Sequence, residues 1–265
     1  MDALMGNANE WVSIVLLAFF RPLGMFVIMP MLSSKNLGGS LIRNGAILLI
    51  SIPALPTLNM VGLPSLGSGN FFSLFMLWGT EFIIGLFIGF IAAIPFWAMD
   101  SASYLIDTMR GSSMATVLNP ALGESSTIFG ILFSQLLAVI FFAFGGFNHL
   151  ITSFYQSYQS FPPGQALHLS APGLLFFKQQ WDMVFSLLFS FALPAVGVML
   201  LVDLGLGLLN RSVQQMNVFF LAMPIKSALV LLLLIISLPF SLRLYQQHML
   251  GMGDMVGSLW RLLHE

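Results

Sequence analysis

Cysteine is absent from the 265-residue chain, so disulfides, thiolate metal sites and cysteine nucleophiles are excluded. Charge is scarce as well. Lys, Arg, Asp and Glu together make up 7% of the residues and nearly cancel, to −1, where a soluble domain carries about 25%. So small a net charge excludes the basic footprint of a nucleic-acid binder. The four histidines, His149, His168, His248 and His264, stand apart without the short spacings of metal ligands. Phosphate-binding and dinucleotide-binding glycine fingerprints are missing, so any energy input must come from a partner, and no cofactor or metal is expected. The segment Met1 to Glu10 is acidic and lacks the basic start of a cleaved signal peptide, so the first hydrophobic segment is expected to be retained.

What the chain has is apolar surface. It is 58% hydrophobic, with a mean hydropathy of +0.94, the composition of an integral membrane protein. A helix needs about 20 apolar residues to cross a bilayer. On that basis the sequence predicts an all-α, polytopic membrane protein with about six long, kinked or broken hydrophobic helices in one membrane domain spanning 1–265. The segments are 11–32, 41–60, 71–99, 127–144, 183–209 and a last one ending near 242. Pro22, Pro53, Pro56 and Pro194 interrupt them, freeing backbone carbonyls that neighbouring helices or water must satisfy. Gly145-Gly146 is a kink site after the fourth. Lys35, Arg43 and Arg110 place the loops after the first and third segments in the cytoplasm. The tail, 243–265, reads as interfacial.

Polar residues inside these segments need partners, because a charge in hydrocarbon costs about 2.5–3.5 kcal/mol on insertion scales. Arg21 sits in the middle of the first segment, as a packing anchor or as a ligand-binding group. Glu81 lies in the third, beside Gly79 and a Gly85-to-Gly89 GxxxG spacing that suits close helix packing but is common by chance. From Asp100 to Ser126 the chain is too polar to span and too apolar for a solvated loop. It reads either as an interfacial segment or as irregular chain in a protein-walled cavity, a plug loop over 98–126. Asp203, Asn210, Arg211, Gln214, Gln215, Asn217 and Lys226 form a polar knot between two membrane-grade segments. The knot is either a turn in the headgroups or a helix–helix joint buried in an assembly.

Catalytic constellations fare poorly. Ser112 or Ser113 with His149 has nothing local to orient it as a nucleophile pair. Glu81, Asp107 and Asp203 could form the carboxylate relay of a proton- or solute-coupled transporter, but no internal repeat supports that fold.

Three stretches, in order, resemble the type III secretion export-gate family, flagellar FliR and its injectisome counterpart SctT. The first is Phe20-Arg21-Pro22-Leu23-Gly24-Met25-Phe26 with Pro30, Leu37-Gly38-Gly39 and Arg43-Asn44-Gly45. The second runs from Ile106-Asp107-Thr108-Met109-Arg110-Gly111-Ser112-Ser113-Met114-Ala115 to Asn119-Pro120. The third is Leu208-Leu209-Asn210-Arg211 with Gln215-Met216-Asn217-Val218-Phe219 and Met223-Pro224-Ile225-Lys226-Ser227. Leu37 to Gly45 and Met223 to Ser227 are more similar to the injectisome branch. Gln214 stands where the family usually has proline, and Asn119-Pro120 where it often has Asp-Pro.

The resemblance implies a non-enzymatic structural subunit of the bacterial inner membrane, raised toward the periplasm in its complex. One copy would join five copies of one related subunit and four of a small hairpin subunit. Together they would make a closed pore for unfolded secreted proteins, next to downstream switch and export-gate proteins. By the same resemblance Met109, Arg110, Gly111, Ser112, Ser113, Met114, Asn119 and Pro120 belong to a plug. Arg21, Glu81, Asp203, Asn210, Arg211, Gln215, Asn217 and Lys226 would make the polar joint, with Arg21, Glu81, Asp203, Arg211 and Lys226 facing protein neighbours instead of lipid, in pairs between helices or between subunits. The rival from another class is the solute-coupled transporter.

Overall fold

The computed structural model describes residues 2–34, 36–58, 71–111, 128–165, 167, 170–212 and 218–264. Among the described residues all regular structure is helical: α1 (Asp2–Ile28), α2 (Ser40–Ser51), α3 (Leu55–Leu58), α4 (Phe71–Met109), α5 (Ile128–Ala143), α6 (Gly146–Ser160), α7 (Ala171–Ser212), α8 (Val218–Leu250) and α9 (Met252–His264). Four segments are long and apolar enough to cross a membrane: 40–58, 72–109, 171–212 and 221–250. A fifth is added if α5 and α6 count as one broken span. The apolar part of α1, Val12–Ile28, is shorter. The chain is a multi-pass membrane protein.

Two helices exceed the sequence expectation. Helix α4 has 39 residues and α7 has 42. At 1.5 Å per residue these are about 58 and 63 Å long, roughly twice the hydrocarbon thickness of about 30 Å. Residues 100–109, expected in a loop, continue α4 instead. Their exposed face carries Asp100, Ser101, Tyr104 and Thr108 while Met99, Ala102, Ser103, Ile106 and Asp107 are buried. That mixture depresses hydropathy without breaking a helix, since none of these residues is Gly or Pro.

The chain forms two compact units. The first comprises 1–94, 145–180 and 250–265. In it α1 and α4 touch backbone to backbone. A Cβ on Gly85 would strike the Arg21 carbonyl, one on Gly24 would strike the Phe82 carbonyl, and one on Gly89 would come within 2.8 Å of the Met25 carbonyl. The GxxxG spacing is therefore a true close approach, of the kind small residues permit. Helix α9 packs on α6, with Met252, Val256, Leu259, Trp260 and Leu263 buried. Ser170 Oγ donates to the Leu262 carbonyl at 2.9 Å. The expected interfacial tail is thus two elements, the end of α8 and an amphipathic α9 whose apolar face is already covered by protein.

The second unit comprises 95–144 and 181–249. Its core is aromatic: Phe96 meets Phe141 edge-on at 5.6 Å, and Phe133 meets Phe191 at 5.1 Å. Outside that core the helices carry wide apolar faces, with Leu200, Leu201, Leu204 and Leu208 exposed on α7 and Leu232, Ile235, Ile236 and Phe240 on α8. Helix α5 ends where Gly145 adopts φ +75°, a left-handed conformation open to glycine at little cost.

Candidate functional site

In the first unit, Arg21 is completely buried and Glu81 is 1% exposed. Arg21 Nε donates to Glu81 Oε2 at 2.7 Å and Nη2 to Oε1 at 3.0 Å. This is the forked geometry that makes arginine–carboxylate pairs strong. Nη1 donates to Ser157 Oγ at 2.9 Å and Nη2 also to the Phe161 carbonyl at 3.0 Å. The Tyr158 ring lies 3.9 Å from the guanidinium carbon, a cation–π contact. One side chain thereby ties α1, α4, α6 and the turn after α6. The close α1–α4 approach makes the pair reachable, since Gly85 sits one turn after Glu81 and against the Arg21 carbonyl.

In the second unit, the described residues that flank 112–127 are held by neighbouring groups. Gly111, at φ +88°, ends α4, and its N–H donates to the Thr108 carbonyl at 3.1 Å, the closing bond of a glycine C-cap. Asp107 is fully buried. Its Oδ1 accepts from Arg110 Nε at 2.5 Å, and its Oδ2 accepts from the Phe129 backbone N–H at 3.0 Å. A carboxylate on α4 thus satisfies a first-turn donor of α5 and sits at the positive end of that helix. The Arg110 guanidinium carbon lies 4.3 Å from the centre of the Phe129 ring.

Lys226 on α8 completes the arrangement. Its Nζ is 2.6 Å from Asp203 Oδ1 on α7 and donates to the Met109 carbonyl at 3.2 Å. A cation there meets one of the unpaired carbonyls at the negative end of α4. Met223, one turn earlier on α8, packs against Gly111. Among the described residues no three His, Cys, Asp or Glu side chains gather as a metal site. Glu81, Asp107 and Asp203, weighed above as a relay, each hold a cation of their own. What this geometry can do is position helix ends.

Residues 12–252 match the family described as "Bacterial export proteins, family 1". The chain belongs to this family. It is 45% identical over 239 residues to the secretion system apparatus protein SsaT of Salmonella typhimurium, covering 90% of this chain and 92% of that protein. It is 39% identical over 217 residues, 82% of each chain, to the Yop proteins translocation protein T of Yersinia pestis. The flagellar biosynthetic protein FliR of Escherichia coli is 25% identical over 262 residues, 96% of this chain and 97% of its own. These relatives are named as components of secretion or flagellar systems, and none of those names describes an enzyme.

Within this family member the residues singled out from the sequence fall into three groups. Arg21 and Glu81 meet, and Met109 meets Lys226, which in turn holds Asp203. Plug and joint were read as separate features, yet Met109 of the first bonds Lys226 of the second. Asn210 and Arg211 are exposed in the last turn of α7 and join neither. Ser112, Ser113, Met114, Asn119, Pro120, Gln215 and Asn217 lie outside the described residues, as do Lys35, His168 and Gln214. Arg21 and Glu81, and Lys226 and Asp203, find their counter-ions inside this chain, as pairs between helices. Spacing along a sequence does not reveal that residues 21 and 81, or 203 and 226, come together. Sequence reasoning had Met223 only as part of a family motif, missed Phe129 and gave Asp107 no holding role. The Asp107–Arg110 spacing and the glycine that follows were legible signals of a capped helix end; nothing marked Phe129.

Proposed function

We propose that this protein is a structural subunit of a type III secretion export gate, forming with related subunits a closed pore that passes unfolded proteins across the bacterial inner membrane. The observation that carries this reading is the family match over nearly the whole chain, joined to polar clusters that fasten helices. The residues from Met109 to Pro120 act as the plug, and their attachment at Asp107, Gly111 and Lys226 supports that role by giving the segment a firm base. The partners are five copies of one related subunit, four of a small hairpin subunit, and the downstream switch and export-gate proteins. The broad leucine faces of α7 and α8 supply apolar surface for those subunits, and helices twice the bilayer thickness suit a complex raised toward the periplasm.

Two measurements test this. Purification from native membranes should bring the partner subunits along; a lone chain that takes up solute would refute the gate and favour a transporter. Deleting Ser112 to Leu118, which spares the glycine cap, should make the assembled complex leak ions. An intact barrier in that assembled variant would refute the plug.

A further inference from the structure

Among the candidate spans, residues 40–58 are cut to a different length from the rest. They comprise α2, a 3₁₀ turn at Ile52–Ala54 and α3, and run about 30 Å at the rises of those helices, one hydrocarbon thickness. The other three candidate spans have 30 to 42 residues and overshoot it. One stripe, Ile47, Ser51, Ala54 and Leu58, is buried, and α2 and α3 pack on α1. The remaining faces carry Leu41, Ile42, Leu48, Leu49 and Ile52, all exposed, Leu49 to 70%. Hydroxyls along the stretch are answered within the first unit. Ser51 Oγ donates to the Leu48 carbonyl at 2.8 Å and Thr57 Oγ1 to the Ala54 carbonyl at 2.6 Å. Near the break at Pro53, the Tyr155 hydroxyl donates to the Ile50 carbonyl at 3.0 Å. Such a surface suits acyl chains, which offer no hydrogen bonds.

Charge marks one end of this surface. Arg43, in the first turn of α2, directs Nε and Nη2 to Asn44 Oδ1 at 3.3 and 3.2 Å; among the described residues no carboxylate faces it. From residue 11 to residue 80 the sequence has no Asp or Glu, and its charges are Arg21, Lys35 and Arg43. Arg21 is paired with Glu81, which leaves the start of this span positive. We propose that α2 and α3 form a lipid-facing anchor on which an anionic phospholipid lies, its phosphate at Arg43 and its acyl chains against Leu49 and Ile52. The guanidinium fork matches phosphate oxygens, and one basic group at headgroup level strengthens binding to anionic lipid about fivefold. The bilayer thus grips the subunit at the span that matches its thickness. This inference rests on the export-gate reading for the assembly in which the anchor works.

The test uses the protein with whatever accompanies it in native membranes. A benzophenone amino acid substituted for Leu49 should, on illumination, attach a radiolabelled phospholipid to the chain. Capture of a protein subunit, or of nothing, overturns the anchor. A second measurement reads the headgroup. In nanodiscs of equal phosphatidylglycerol and phosphatidylcholine, native mass spectrometry should find phosphatidylglycerol retained in preference. Arg43→Gln should cut that preference about fivefold, while Arg43→Lys, which keeps the charge, should preserve most of it. An unchanged preference in Arg43→Gln overturns the phosphate site. Lipid capture at Leu49 by a chain that purifies without partner subunits would support the anchor and defeat the export-gate reading instead.

Discussion

Removing the Glu81 carboxylate should be among the most damaging single changes in the first unit. Arg21 has no exposure, and two of its four hydrogen bonds among the described residues end on Glu81. Glu81→Ala leaves a guanidinium in a dry site with only Ser157 Oγ and the Phe161 carbonyl as acceptors. Stranding one member of a buried pair costs about 3–5 kcal/mol, set against a total stability of about 5–15 kcal/mol for a typical domain. At about 2–4 °C per kcal/mol for a chain near this size, the unfolding midpoint should fall by roughly 6–20 °C. Glu81→Gln, which keeps an acceptor and the shape, should lose less. The double change Arg21→Met with Glu81→Leu removes both charges and should recover much of the loss, since apolar replacement of a whole buried pair is often neutral. The assay is thermal unfolding of the detergent-solubilised protein, monitored by size-exclusion chromatography, for both singles and the double. Additive losses in the double, with no coupling beyond about 0.5 kcal/mol, would refute the idea that the two groups exist for each other.

Other outcomes follow from the same geometry. Gly85→Ala should lower the unfolding midpoint sharply, because its Cβ has no room beside the Arg21 carbonyl, whereas Gly79→Ala, with nothing within 4 Å, should be neutral or stabilising; equal effects would deny the close α1–α4 approach. Asp107→Ala should cost about 1–2 kcal/mol as a lost helix cap, plus the stranding of Arg110, and hydrogen exchange should show faster opening at the start of α5. Arg211→Ala, at an exposed position, should leave the isolated chain's stability within about 0.5 kcal/mol yet reduce co-purification of partner subunits; an unaltered complex would remove Arg211 from the interface.

Much of this protein was readable before any coordinates. Hydropathy and the scarcity of charge require membrane helices, and the three motifs carry the family. Polar residues that interrupt apolar segments need partners, and Arg21, Glu81, Asp203 and Lys226 have them within this chain. Their partners were not readable. Arg21 and Glu81 are 60 positions apart, and no periodicity links two helices that meet only because Gly24, Gly85 and Gly89 let their backbones touch. The end of α4 was misplaced because Asp100, Ser101 and Tyr104 look like loop residues when averaged, although they occupy one face of a helix.

Composition and pattern alone determined that the chain is helical, membrane-embedded and built around a few costly polar groups, because hydrocarbon leaves the backbone little choice but helix and penalises every unpaired charge. Tertiary structure alone decided how those charges are answered. Arginine, aspartate and lysine look the same in sequence whether they face a sister subunit or a neighbouring helix. Here Arg21, Asp203 and Lys226 are answered from within. The difference rests on helix approach distances of a few ångströms, which depend on every side chain between the backbones and on none of them singly.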